Sequence, residues 1–267
     1  MTVPKLHIYQ MSPEVVAFSS TRQGGYSTGH YAAFNINRYC GDSDDSIAKN
    51  REALCRLLGI SDDRLVMPHQ THETNIVPID QGFFALPQSG RQAALEGVDA
   101  VMTDLRDVCI GVSTADCIPV LLYDRLHHAA CAVHAGWRGT VKRIVMKAIA
   151  AMKTQYGTSP RHLVAQIGPG ISLDSFEVGD EVYETFRSEG FEMSAISRRY
   201  AATDPRQAEK WHIDLPECNR RQLLSAGLPS SAISVSPICT FLCHDTFFSA
   251  RRLGIQSGRI FTGICQH

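Results

Sequence analysis

The sequence carries no run of Lys or Arg, and its formal net charge is only −1. It therefore lacks the one-signed footprint with which proteins hold nucleic acid or an anionic membrane surface, and neither is expected as a partner. No apolar run approaches the roughly 20 residues that span a bilayer, and no basic N-terminal segment leads into an apolar stretch. A cytoplasmic location is the expectation. Nine cysteines are an odd number, spread without dense spacing in a chain large enough to bury a sizeable core, which argues against a disulfide framework. Cys109 and Cys131, inside apolar runs, are expected reduced and buried. Cys239 and Cys243 enclose Thr240, Phe241 and Leu242, with His244 adjacent, and read as strand or loop interior rather than a second metal site. Linkers, repeats and low-complexity tracts are also missing, so residues 1–267 read as a single domain. Among the eleven histidines there is no His-x-His, which removes the paired imidazoles a multicopper oxidase needs. Gly24-Gly25 has no P-loop pattern around it and reads as a turn.

What the sequence does have is a hairpin signal in its centre. The apolar run Ile118 to Tyr123 is followed by Asp124, Arg125, Leu126, His127, and then by a second apolar run from Ala129 to Val133. Placing Asp124 opposite His127 brings Cys117 opposite His134 on the same face, close enough to share a metal ion or a proton. Just beyond, Ala135-Gly136-Trp137-Arg138-Gly139 turns from strand into a helix expected from about Thr140 to Gln155, whose apolar residues recur at three- and four-residue steps. Further strands are expected at Val15 to Ser20, Arg64 to Met67, Asn75 to Ile79, Ala100 to Thr103, Val108 to Ser113, Leu163 to Ile167, Ser234 to Ile238 and Arg259 to Ile264. Helices are expected at Ser46 to Leu58, with Asp44 or Asp45 as caps, at Gly179 to Ser188 and at Cys218 to Ala226. A strand-rich centre with scattered helices reads as α+β with mixed sheets.

One Cys and two His match a catalytic zinc site that leaves a fourth position for water or substrate, whereas structural sites close all four. Cys117 and His134 supply two ligands, and His69 or His72, in Pro68-His69-Gln70-Thr71-His72, supplies the third. The residues by themselves separate these two histidines poorly.

The segments Ser20-Thr21-Arg22-Gln23-Gly24-Gly25-Tyr26-Ser27, Asn50-Arg51, Gln70-Thr71-His72, Gly97-Val98-Asp99-Ala100, Thr114-Ala115-Asp116-Cys117-Ile118-Pro119, His134-Ala135-Gly136-Trp137-Arg138-Gly139, Ile167-Gly168-Pro169 and Phe247-Phe248-Ser249 run nearly the length of the chain. In that order they resemble the laccase-domain family, whose members are variously labelled polyphenol oxidase, purine nucleoside phosphorylase or peptidoglycan editing factor. The resemblance implies a single α+β sandwich of mixed β-sheets flanked by helices, with zinc ligands at His72, Cys117 and His134. It also implies phosphorolysis of adenosine, inosine, guanosine and methylthioadenosine, and hydrolytic deamination of adenosine, so that purine nucleosides and phosphate are the expected partners.

For such chemistry, Arg22, Arg51 and Arg138 are candidates to clamp phosphate, because a guanidinium fork suits its oxygens. Asp116, next to the Cys ligand, is a candidate to orient a ligand or move a proton, provided the backbone there departs from a regular strand. Copper is soft enough to occupy a Cys/His site as an alternative or adventitious metal. A competing reading makes Cys117 a nucleophile activated by His134 in a hydrolase that edits misincorporated amino acids on a peptidoglycan precursor. Where relatives commonly carry Cys after Ile-Gly-Pro this chain has Gly170, and Tyr39-Cys40 replaces a usual His-Val.

Overall fold

Alternation of side chains along the central hairpin decides how the layers stack. In the computed structural model, which describes residues 3–201 and 209–267, the strands Ile118–Asp124 and Ala129–Ala135 are buried on both faces. Leu121, Tyr123, Ala130 and Ala132 point to one side, where they meet Ala17, Ile110, Val112 and Ile264 of a second sheet. Val120, Leu122, Cys131 and Val133 point to the other, against Ile144, Val145, Ala148, Ile149 and Met152 of the helix Ile144–Tyr156. Continuous apolar strands are what a sheet covered on both faces requires.

The hairpin lies inside a six-stranded sheet ordered Ile233–Val235, Leu163–Ile167, Ile118–Asp124, Ala129–Ala135, Ala100–Thr103, Ile76–Pro78, with parallel pairs at both edges and antiparallel pairs between. Against it packs a five-stranded sheet ordered Leu6–Tyr9, Val15–Ser20, Ile260–Gln266, Cys109–Thr114, Leu65–Val66. The outer face of the five-stranded sheet is covered by the helix Asp44–Leu58, through Leu54, Cys55 and Leu58. Helix, sheet, sheet, helix gives the α+β sandwich of mixed sheets anticipated from the sequence. A third, three-stranded sheet joins Glu177–Val178, Lys210–Ile213 and Ser197–Tyr200.

Three local expectations need correction. Asp124 pairs with Ala129, not His127, so His134 lies opposite Pro119 and the register is two residues from the one counted about Asp124 and His127. The Asp124 carboxylate accepts from the N–H groups of Leu126 and His127, and His128 turns through φ 51°, which together make a four-residue connection. The helix expected from about Thr140 to Gln155 is two helices, Trp137–Val141 and Ile144–Tyr156, broken where Arg143 adopts φ 61°. Thr140 there finds partners outside its own helix: Gln222 donates to its carbonyl and Asn219 to its hydroxyl. The first helix starts at Asp44 with Ser43 as its cap, its hydroxyl accepting from Ser46, and both aspartates sit in the first turn.

Candidate metal centre and active-site cavity

The strand Cys109–Thr114 ends in the five-stranded sheet and Ile118–Asp124 begins in the six-stranded one. Residues 115–117 are therefore the crossover between layers, at one rim of the sandwich. Asp116 turns the chain there with φ 86°. This irregular backbone is the condition set for Asp116, and its carboxylate accepts from the Thr240 hydroxyl at 2.7 Å and from the Arg251 N–H at 2.7 Å. It fixes the crossover to the segment that begins the helix Ala250–Leu253, and it does not line the cavity.

By continuation of the hairpin register, Cys117 falls beside Gly136 rather than His134. The glycine makes their meeting possible. A Cβ at Gly136 would lie 3.0 Å from Cδ2 of His72 and 3.1 Å from Sγ of Cys117, so its missing side chain leaves the space in which these groups converge. Donor atoms of His72, Cys117 and His134 all lie within 4.8 Å of one another, and Sγ of Cys117 is 3.8 Å from Nε2 of His72. In a tetrahedral zinc site the S···N edge is about 3.6 Å. The trio fits a divalent ion of that kind.

Asp99, fully buried, organises both histidines. Its Oδ1 accepts from Nδ1 of His134 at 2.7 Å and from the His72 N–H at 3.0 Å, and its Oδ2 accepts from the N–H groups of Thr71 and Glu73. Three successive N–H groups on one carboxylate hold the His72 backbone at φ 66°, a conformation rarely adopted outside glycine. Committing Nδ1 of His134 leaves Nε2 as its metal-facing nitrogen. Burial opposes ionisation of Asp99, yet the His134 imidazole and the backbone donors outweigh it and hold the carboxyl below its ordinary range. Burial likewise resists a thiolate at Cys117, but His134 and His72 bring the thiol down to about 6. His134, against the cost of its own burial, is pushed up to about 9 by Cys117 and Asp99. Both shifts favour a thiolate beside an imidazolium when no metal is bound.

The trio stands in a cavity of about 310 Å³ whose walls include Tyr39, His69, Gln70, Ser113, Ile255 and Arg259. Tyr39 stacks on His69 with ring centroids 4.0 Å apart, and Nδ1 of His69 pairs with Glu96 at 2.7 Å. His69 is therefore a wall of the cavity and outside the metal trio. Gln70 is locked to the strand Cys109–Thr114 by two bonds to the Ser113 backbone. None of the three arginines expected to clamp phosphate lines this cavity. Arg22 donates to the carbonyls of Ala32 and His244 over the Phe248 ring. Arg51 is buried and donates to Asp62 and the Leu65 carbonyl. Arg138 lies exposed over Trp137. Among the described residues lining the cavity, the fixed positive charge is Arg259.

Sequence reasoning gave no role to Asp99 or Arg259. A carboxylate just before a buried strand was a usable signal for Asp99; nothing local marked Arg259. Cys239, Cys243 and His244 form no metal-capable group among the described residues, and Cys239 instead accepts a bond from the Ser172 N–H. Gly170 packs behind the crossover, where a Cβ would fall 2.3 Å from Cδ1 of Ile118.

The fold and the site together define a class of protein: an α+β sandwich of mixed sheets with a Cys/His₂ candidate metal centre open to a rim cavity. Residues 16–267 match the family described as multi-copper polyphenol oxidoreductase laccase, and the chain belongs to that family. It is 49% identical to a Bacteroides thetaiotaomicron protein named purine nucleoside phosphorylase, over 94% of this chain and 91% of that one. It is 44% identical to adenosine deaminase RL5 of an unknown prokaryotic organism, over 97% of each. The crystal structure of the Bacillus licheniformis hypothetical protein YfiH is similar to it with a TM-score of 0.89 at 27% identity, covering 99% of this chain and 97% of that one.

Proposed function

We propose that this chain is a zinc-dependent purine nucleoside enzyme, which phosphorolyses adenosine, inosine, guanosine and methylthioadenosine and deaminates adenosine hydrolytically. The observation that carries the reading is the convergence of His72, Cys117 and His134 at a cavity wall, with Asp99 turning Nε2 of His134 inward. The names of the two relatives describe the same pair of activities. A zinc ion on these ligands supplies Lewis acidity and a water acidic enough to act as a nucleophile at neutral pH.

The chain's own residues do the rest. Asp99 holds the ligand histidines in place. The Tyr39–His69 stack gives the purine an aromatic wall. His69, with Nδ1 committed to Glu96, keeps Nε2 free to carry a proton to or from the base. Arg259 takes the phosphate role first considered for Arg22, Arg51 and Arg138. Three bonds to the carbonyls of Ile255, Ser257 and Gly258 fix its guanidinium and leave donors for an anion.

Purified zinc-loaded protein incubated with adenosine, with and without phosphate, tests this. Adenine formed only with phosphate reports phosphorolysis, inosine reports deamination, and neither product from metal-loaded protein would sink the reading. Arg259→Ala should raise the KM for phosphate while sparing deamination. The low-lying Cys117 thiol beside His134 favours one second reading, a metal-free Cys/His hydrolase of a peptidoglycan precursor. Hydrolysis of an amide that survives chelation is its signature.

A further inference from the structure

The far end of the central hairpin gathers a second group of ligating side chains. Asp124 ends the strand Ile118–Asp124 in register with Ala129 on one side and Leu163 on the other, and is fully buried. Its Oδ2 lies 2.8 Å from Nδ1 of His127. His162 closes the short 3-10 turn Pro160–His162 that feeds the strand Leu163–Ile167. The His162 backbone is tied to the hairpin turn, because its carbonyl accepts from the Arg125 N–H. Both imidazoles thus hang from backbone pinned across neighbouring strands.

Asp124, His127 and His162 each offer a donor atom within 4.8 Å of the others. The two imidazole centroids are 6.5 Å apart, and the exposed His162 ring has no hydrogen bond to a described residue. Turn capping accounts for Asp124 and for its bond to His127, and leaves His162 unexplained. Beside Nε2 of His127 stands Gly157, whose absent Cβ would lie 3.7 Å away, so that flank of the ring carries no side chain. His128 belongs elsewhere, with Nδ1 on the Tyr123 hydroxyl.

We propose that Asp124, His127 and His162 form a second metal site for a divalent transition ion, about 20 Å along the strand from Cys117. Two imidazoles and one carboxylate suit zinc, nickel or copper(II), and not the all-oxygen shells of calcium or magnesium. Arg125 and Arg161 share the adjacent cavity with His162, and their charge makes this site weaker than the Cys/His₂ centre. A bound ion cross-links the hairpin turn to the start of the neighbouring strand.

The test is a zinc titration of metal-free full-length protein by calorimetry, with metal counted after gel filtration. Wild type is expected to take up two equivalents. His162→Ala should lose the weaker one, or weaken it at least about tenfold, with nucleoside turnover unchanged. Cys117→Ala should lose the tight equivalent and keep the weaker. Zinc-dependent shifts of the His162 ring protons should accompany the second equivalent. A single equivalent in wild type, uptake only at millimolar zinc, or two equivalents retained in both His127→Ala and His162→Ala would overturn the proposal. Because binding is read independently of turnover, its failure leaves the nucleoside reading untouched.

Discussion

At the scale of single residues, one carboxylate governs the candidate centre. Asp99 sets the backbone of His72 and the tautomer of His134 together, so Asp99→Asn should weaken zinc binding about 10- to 100-fold, measured by competition with a chromophoric chelator. The Cys117 thiol, brought down to about 6, should react with iodoacetamide in the metal-free protein along a pH profile with its midpoint there, against an ordinary value of 9.0. Thiolate is the reactive form, so the rate rises as pH passes upward through that midpoint and falls below it. A midpoint unmoved from the ordinary value would remove the Cys117–His134 pair. Zinc must also displace the proton that His134 holds up to about 9, so apparent affinity should increase with pH until that point. Cys117 and His134 stood out from the residues alone, whereas the only mark of Asp99 was its place just before a buried strand, because the bonds it makes to both histidines depend on chain folding.

At the scale of elements, the hairpin was legible and its register was not. Apolar runs around a polar centre specify two strands, but the connection length depends on how Asp124 caps the turn and on the φ of His128. The ligands converge nonetheless, because Gly136 stands beside Cys117 and opens the space that a side chain would close. Gly136 has φ −64°, an ordinary value for any residue. Gly136→Ala should therefore fold normally, with an unchanged far-ultraviolet circular dichroism spectrum, yet lose zinc affinity because its methyl presses on His72 and Cys117. Zinc affinity equal to wild type would show that the ligands can shift to make room. Of the expected arginine clamps, each had a guanidinium suited to phosphate, and each is held by carbonyls, a carboxylate or an aromatic ring away from the cavity.

At the scale of the whole molecule, the two sheets share an interface to which Leu121 contributes with no exposure. Leu121→Ala should cost about 2–5 kcal/mol, read as a lowered urea midpoint. The candidate metal centre lies at the rim and not within those layers. Chelation should thus lower stability by the lost binding free energy, about 2.7 kcal/mol where zinc was at 100 times its Kd, read as a lowered Tm, and leave the secondary structure intact. Collapse of the circular dichroism spectrum on chelation would instead make the ion a structural staple.

The sequence by itself determined the class of fold, the buried hairpin and two of the candidate ligands, since these follow from local periodicity and from residue chemistry that survives in one dimension, and the family resemblance added His72 as the third. The tertiary structure alone decided that Asp99 links both imidazoles and that Arg259 rather than the other arginines faces the cavity. Those outcomes depend on where a crossover between two sheets leaves its side chains. Such a position is set by packing among residues far apart in the chain, and no pattern within a short window encodes it.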